Sequence, residues 1–223
     1  MKRLLKPIIL LLALGLMGCM AATPVANTPA ASVPTATAAP CNPTPIVVPT
    51  RPAEVPGYTE LDPATGLHMT GTPPQIDFQS YRLEVTGKVG QPLSLTYDEL
   101  RCLPRVERRC LLNCPGFFQD EATWAGASLD AVLERAGVQT DARQLRLVSA
   151  DGYSTVVFLD QLEPGESFLA YEWEGEPLPI LHGFPVRAVF PALDGNKWVK
   201  WLVKIRGLHL AGDHGPAQPV AAH

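Results

Sequence analysis

From Ala21 to Pro56 a proline falls every few residues, with Ala, Thr, Val and Ser between them and almost no charge. Proline fixes φ and donates no backbone hydrogen bond, so the run can sustain neither a helix nor a central strand. Its composition also offers too little apolar surface to offset the entropy of ordering it. The prolines stiffen it into an extended spacer. Whatever folds in this 223-residue chain must therefore be built from residues beyond Pro56. Residues 57–74 read as an irregular lead-in, and 209–223 as a flexible polar tail. The folded part is expected over 75–208, roughly 130 residues, a length that suits one domain with one core.

Ahead of the spacer, residues 1–18 are laid out as an export signal: early cations at Lys2, Arg3 and Lys6, an apolar run, then Leu16-Met17-Gly18-Cys19. The run is shorter than the roughly 20 residues a spanning helix needs. Small residues ending in cysteine resemble a bacterial lipobox. Cys19 would then be the lipidated first residue of a mature protein anchored to a membrane of the cell envelope, with 19–56 as its tether. Cys41, within that tether, is either an exposed thiol or a disulfide partner. A net charge of −4 gives no footing for nucleic acid.

Between 75 and 208 the pattern is mostly strand. Tyr81–Val85 alternates apolar with polar, and Leu145 and Leu147 flank Arg146 in the same way. Ser154–Leu159 continues as strand after the turn in ADGY. Arg109–Asn113 is a short strand leading into Cys114. Phe168–Trp173 and Pro177–Ile180 flank Glu174-Gly175-Glu176, a hairpin signal, and Val186–Phe190 is a strand. Trp198–Arg206 predicts the longest one, with Val199, Trp201, Val203 and Ile205 on one face and Lys200, Lys204 and Arg206 on the other. Thr96–Leu103 predicts a short helix. Ser128 reads as the N-cap of a second, with Leu129, Val132, Leu133 and Ala136 on one face and Gly137 as its stop. The fold class is α+β, a mixed sheet with few helices.

Chemistry concentrates near the end of this region. His182, Arg187, Lys197 and Lys200 gather around Gly183, Pro185 and Gly195. Glycine lets backbone approach a ligand closely, and arginine offers a planar fork for phosphate oxygens, so this is an anion-binding pattern. Upstream, Cys110 and Cys114 stand four apart before a Pro-Gly turn. Zinc calls for paired ligands such as Cys-x2-Cys with a second pair, a spacing that Cys102, Cys110 and Cys114 lack. Outside the cytoplasm disulfides are open to them: Cys110 with Cys114, Cys102 with Cys110, or Cys41 with Cys102 or Cys110.

Five stretches, YRLEVTGKV…PLSLTYDEL, LNCPGFFQDEATWAGASLDAVLERAGV, LVSADGYS, LAYEWEGEPLPILHGFPVR and GNKWVKWLVKI, succeed one another as in the sulfite oxidase family, whose molybdopterin-binding oxidoreductase domain this chain resembles over about Tyr81–Leu208. The resemblance implies that family's α+β fold and a molybdenum-molybdopterin cofactor with a protein cysteine on the metal. It implies Cys114 as that ligand, because Cys114 precedes Trp124-Ala125-Gly126 by the family's interval. It implies Ser149 near the cofactor, His182 and Arg187 at the two ends of HGFPVR, and Gly195, Asn196 and Lys197 in GNK, with Lys200 beside them. Two departures stand out. The lead-in lacks the family's usual upstream cofactor contacts, for which His68 or Thr70 could substitute. The signal carries Lys2-Arg3 rather than the twin-arginine pair of folded cofactor carriers.

The function expected from this resemblance is two-electron oxygen-atom transfer on a small substrate, an oxyanion or a sulfoxide, by a lipid-anchored enzyme. With no C-x-x-C-H haem motif in the sequence, electrons would pass to a separate redox partner, for which a membrane haem protein is the candidate. The alternative is a cofactor-free extracytoplasmic binding lipoprotein that keeps the fold, since fold alone does not dictate function.

Overall fold

The computed structural model describes residues 41–209; the expected signal, Cys19, the first part of the tether and the tail from 210 lie outside the described residues. In chain order the strands are β1 (Leu83–Gly87), β2 (Leu93–Leu95), β3 (Arg105–Cys114), β4 (Phe118–Ser128), β5 (Gln144–Ser149), β6 (Ser154–Phe158), β7 (Phe168–Trp173), β8 (Glu176–Pro177), β9 (Arg187–Val189) and β10 (Leu202–Leu208). The helices are α1 (Tyr97–Arg101) and α2 (Leu129–Ala136). The strands divide over two five-stranded sheets. One is ordered β2-β1-β10-β5-β6 and is mixed, because β1 and β10 run parallel. The other is ordered β3-β4-β7-β8, with β9 also on β7.

Local chemistry accounts for the helices. Thr96 and Glu99 form a reciprocal capping box at the start of α1. The Ser128 hydroxyl accepts from the Ala131 amide at the start of α2, and Gly137 ends it with φ 61°. Leu129, Val132 and Ala136 of α2 are fully buried.

Three sequence expectations need correction. First, β3 spans Arg105–Cys114 rather than only 109–113, because it pairs along its whole length with β4. The alternation of β4 is masked in sequence by its inward residues, Asp120, Ala122 and Trp124, only one of which is large and apolar. Gly126 is required there, since a Cβ would run into the Leu169 carbonyl of β7.

Second, β10 begins at Leu202, not at Trp198. Residues 198–201 are irregular; Val199 O accepts from Ala188 N of β9, and the next residue, Leu202, donates to Val186 O, each at 2.8 Å. Trp201 adopts φ 48°, and the register shifts between Leu202 and Lys204. The expected two-face pattern breaks at that point, Val203 is only half-buried, and Lys200 turns inward instead of outward.

Third, residues 41–74 pack against the domain although they carry no regular strand or helix. Cys41 forms a disulfide with Cys102, the pairing chosen among those open, while Cys110 and Cys114 are free thiols. Leu67 and Met69 are buried, Ile46 rests on the core, and Leu61 and His68 form an isolated bridge. Single apolar anchors without periodicity leave no helical or strand signature, so composition alone placed this segment outside the fold.

Candidate functional site

Cys114 is the last residue of β3, where the chain turns through Pro115-Gly116-Phe117 into β4. The Phe117 amide donates to the Cys114 carbonyl at 3.0 Å, and Gly116 takes φ 80°, which glycine adopts without strain. The thiol therefore sits at a fixed strand end rather than on a loose loop. Burial pushes it up, only partly opposed by the positive Arg187. Opposite it, Gly195 lies so close that a Cβ would meet Sγ at 2.5 Å.

Cys114 forms part of the wall of a cavity of about 430 Å³. Phe117, Phe118, Tyr58, Trp198 and Trp201 supply its aromatic surfaces, and Ser149, Asp151, Tyr153, Asn196 and Lys200 its polar ones. At its back, Cys114, Thr70, Phe118, Gly195, Trp198 and Lys200 are shared with a recess of about 30 Å³ that also touches His68, Asp120, His182 and Arg187.

Arg187, at the start of β9, is 3% exposed. Its guanidinium carbon stands 4.5 Å over the Trp124 ring and 5.8 Å from that of Trp198. One terminal nitrogen donates to the His182 carbonyl at 3.2 Å, and Nε has no partner. Burial lowers this guanidinium to about 10. A buried cation without a carboxylate is costly unless an anion meets it. Lys200 is in the same condition: burial, then Arg187, lowers it to about 7, while Nζ donates to the carbonyls of Thr70 and of Leu181, the latter at 2.9 Å, and lies 4.5 Å from the Trp201 ring centre.

His182 is held from the lead-in. Its Nε2 stands 2.9 Å from both Asp62 Oδ2 and Thr65 Oγ1, which leaves Nδ1 as the ring nitrogen available to a ligand. Burial drives the imidazole down to about 4 despite Asp62, so it is neutral at physiological pH. Burial raises the Asp62 carboxyl, but hydrogen bonds from the Ala64 amide, His182 and Thr65 outweigh that and hold it low.

The fold thus gathers Cys114, Ser149, Gly195, Asn196 and Lys200 on the cavity, with His182 and Arg187 at its back. Lys197 is not with them: its ammonium reaches Thr155 Oγ1 at 3.1 Å and the Val156 carbonyl at 3.0 Å, fastening the 195–197 turn to β6. Phe117 and Phe118 are cavity wall, and Phe117 is 70% exposed. Trp124 is core. Asp151 and Tyr153 line the cavity, and the Tyr153 hydroxyl donates to the Asn196 carbonyl at 2.7 Å. Sequence reasoning missed Asp62, Thr65 and Asp120. Each has its histidine partner far along the chain, so no spacing signals the pairing.

Residues 69–211 match the family described as Oxidoreductase molybdopterin binding domain. The uncharacterized oxidoreductase YuiH of Bacillus subtilis (strain 168) is 34% identical over 151 residues, covering 67% of this chain and 75% of YuiH. Human mitochondrial sulfite oxidase is 35% identical over 162 residues, which span 59% of this chain but only 30% of that protein. Among solved structures, the sulfane dehydrogenase SoxCD from Paracoccus pantotrophus superposes with a TM-score of 0.56 at 25% identity, over 60% of this chain and 40% of that one.

Proposed function

This chain belongs to the molybdopterin-binding oxidoreductase domain family, the sulfite oxidase family, and we propose from that membership that it is an envelope enzyme performing two-electron oxygen-atom transfer on a small sulfoxide or oxyanion. Its cofactor is molybdenum-molybdopterin. When bound, that group supplies the two-electron couple and the exchangeable oxygen.

The observation that carries this reading is one free thiol packed against a glycine in the cavity wall, backed by two buried cations without carboxylate partners. The residues present fit the group. Cys114 offers the soft sulfur that such a metal favours. Burial raises its thiol, and a metal bound there would displace the proton. Arg187, with Nε unpaired, and Lys200 would meet the anionic part of the cofactor. Neutral His182 presents Nδ1 as an acceptor, and Ser149, Gly195 and Asn196 line the wall. Phe117 and Phe118 supply aromatic wall beside the thiol.

Between the two substrate classes, the rim favours a sulfoxide. Tyr58, Phe117 and Tyr153 are exposed there, the carboxylate present is Asp151, and the one cation on the wall, Lys200, is tied to backbone carbonyls. An anionic substrate would find no free positive side chain at this mouth among the described residues. Electrons pass to or from a separate membrane haem protein, and lipidated Cys19 holds the enzyme at the membrane; the lipobox and the absence of a haem motif in the sequence support these parts of the proposal.

The test is metal and pterin analysis of the chain made with its own signal in a host that synthesises the cofactor. Equimolar molybdenum and pterin, with sulfoxide reduction by a dithionite-reduced viologen dye, is the expected result. Folded protein carrying neither would leave the cofactor-free binding lipoprotein as the better reading.

A further inference from the structure

His68 and Asp120 form a unit that the cofactor contacts above do not use. Asp120, with a side chain 5% exposed, takes the His68 backbone amide on Oδ2 at 2.8 Å and His68 Nδ1 on Oδ1 at 2.6 Å. The imidazole stacks on Phe118 with ring centres 4.5 Å apart and an interplanar angle of 12°. Three contacts thus lock the ring and its tautomer, leaving Nε2 with no hydrogen-bond partner among the described residues. The ring borders the recess behind Cys114 yet remains 25% exposed, so it touches both the site and solvent. At about 30 Å³ the recess has room for a water.

We propose that His68 carries protons between this recess and bulk solvent during oxygen-atom transfer, with Asp120 as its positioning residue. The inference rests on the function proposed above. Reducing a sulfoxide to a sulfide and water consumes two protons and two electrons, and the reverse reaction releases them. The electrons belong to the haem-type partner. For each proton delivered, an O–H bond of a solvent hydronium ion breaks, leaving water, as Nε2–H forms. That N–H bond then breaks as the proton passes through water in the recess to the oxygen taken from the substrate, which leaves as water once it holds two. The Asp120 carboxylate accepts from Nδ1–H and stabilises the imidazolium in between, a histidine role of the general acid–base kind. The charged and titratable groups sharing the recess are Cys114, Asp120, His182, Arg187 and Lys200.

The test has two arms. In cofactor-free protein, nitrogen NMR of the His68 ring should show the proton on Nδ1, with Asp120→Asn redistributing it toward Nε2. Finding Nε2–H as the resting form in the wild type would overturn the proposal. In loaded protein, His68→Gln should lower kcat by about 10²–10⁴-fold at unchanged KM and unchanged molybdenum content, with partial rescue by added imidazole. Asp120→Asn should displace the pH profile. Wild-type turnover and pH profile in loaded His68→Gln would defeat the proton role alone, and so would activity lost only in step with molybdenum. A loaded wild type that transfers no oxygen would defeat the functional reading itself and the proton role with it.

Discussion

Gly195 lies against Cys114 so closely that a Cβ placed on it would stand 2.5 Å from Sγ and 2.9 Å from Leu112 Cδ2. Glycine at this position leaves the thiol its room. Gly195→Ala should displace the sulfur and cost about 1–3 kcal/mol of overpacking. Molybdenum content should fall further than the thermal midpoint accounts for. A variant with full metal content would show that the sulfur can move without losing its role.

The two free thiols should separate cleanly. Cys114→Ser trades a soft ligand for a poor one, and should abolish oxygen transfer and change the metal's absorption or paramagnetic spectrum. Cys110 is buried in β3 and raised to about 11 by that burial, so it behaves as an inert core group. Cys110→Ser should cost about 1–2 kcal/mol of stability and leave activity in place. The reverse result would move the ligand to Cys110.

In the proposed function the cationic cradle is Arg187 and Lys200, while the Lys197 ammonium bonds to Thr155 and Val156. Arg187→Ala and Lys200→Ala should each weaken cofactor retention by roughly 10- to 100-fold, as expected for a lost charged contact. Lys197→Ala should leave retention near wild type and lower the thermal midpoint, because its ammonium ties the 195–197 turn to β6. Occupancy measured at limiting cofactor decides between them. Equal losses for all three would place Lys197 in the cradle after all.

The cofactor-free protein should lose stability in mild acid. His182 sits at about 4 in the fold against an ordinary 6.5. Between those values the unfolded chain takes up a proton that the fold refuses, so this stability is full above pH 6.5 and drains as pH falls toward 4. The whole effect is worth about 3 kcal/mol. Asp62, held below the ordinary carboxylate value, extends the loss in the same direction at still lower pH. Urea midpoints at pH 7 and pH 5 should differ in the wild type and converge in His182→Gln. An undiminished difference in that variant would assign the acid loss to other groups.

The Cys41–Cys102 bridge closes a loop with a sequence separation of 61 and holds the end of the tether on the domain. Chain entropy predicts a stabilisation of about 4 kcal/mol for a loop of this size. Reductant, or Cys41→Ser with Cys102→Ser, should lower the thermal midpoint and make residues 41–74 susceptible to protease. Unchanged melting in reductant would mean that Leu67, Met69 and Ile46 suffice to hold the segment.

Local sequence determined much of this protein. The Thr96–Glu99 capping box, the stripe Leu129, Val132, Ala136 ending at Gly137, and the alternation around Leu145 and Leu147 each act within a few residues, so each was legible without the fold. The motif order around Cys114, HGFPVR and GNK likewise pointed to the cofactor. Tertiary structure alone decided the rest. Lys200, on the same strand face as Lys204 and Arg206 by alternation and beside the cofactor by resemblance, is buried, because the left-handed turn at Trp201 and the register shift after Leu202 rotate it toward the carbonyls of Thr70 and Leu181. Lys197 leaves the cavity for Thr155 because β6 lies beside its turn. Asp62 meets His182 across 120 residues, and Asp120 meets His68 across 52. Such pairs carry no periodicity or spacing. Their energy comes from burial and geometry that exist only once distant segments have packed together.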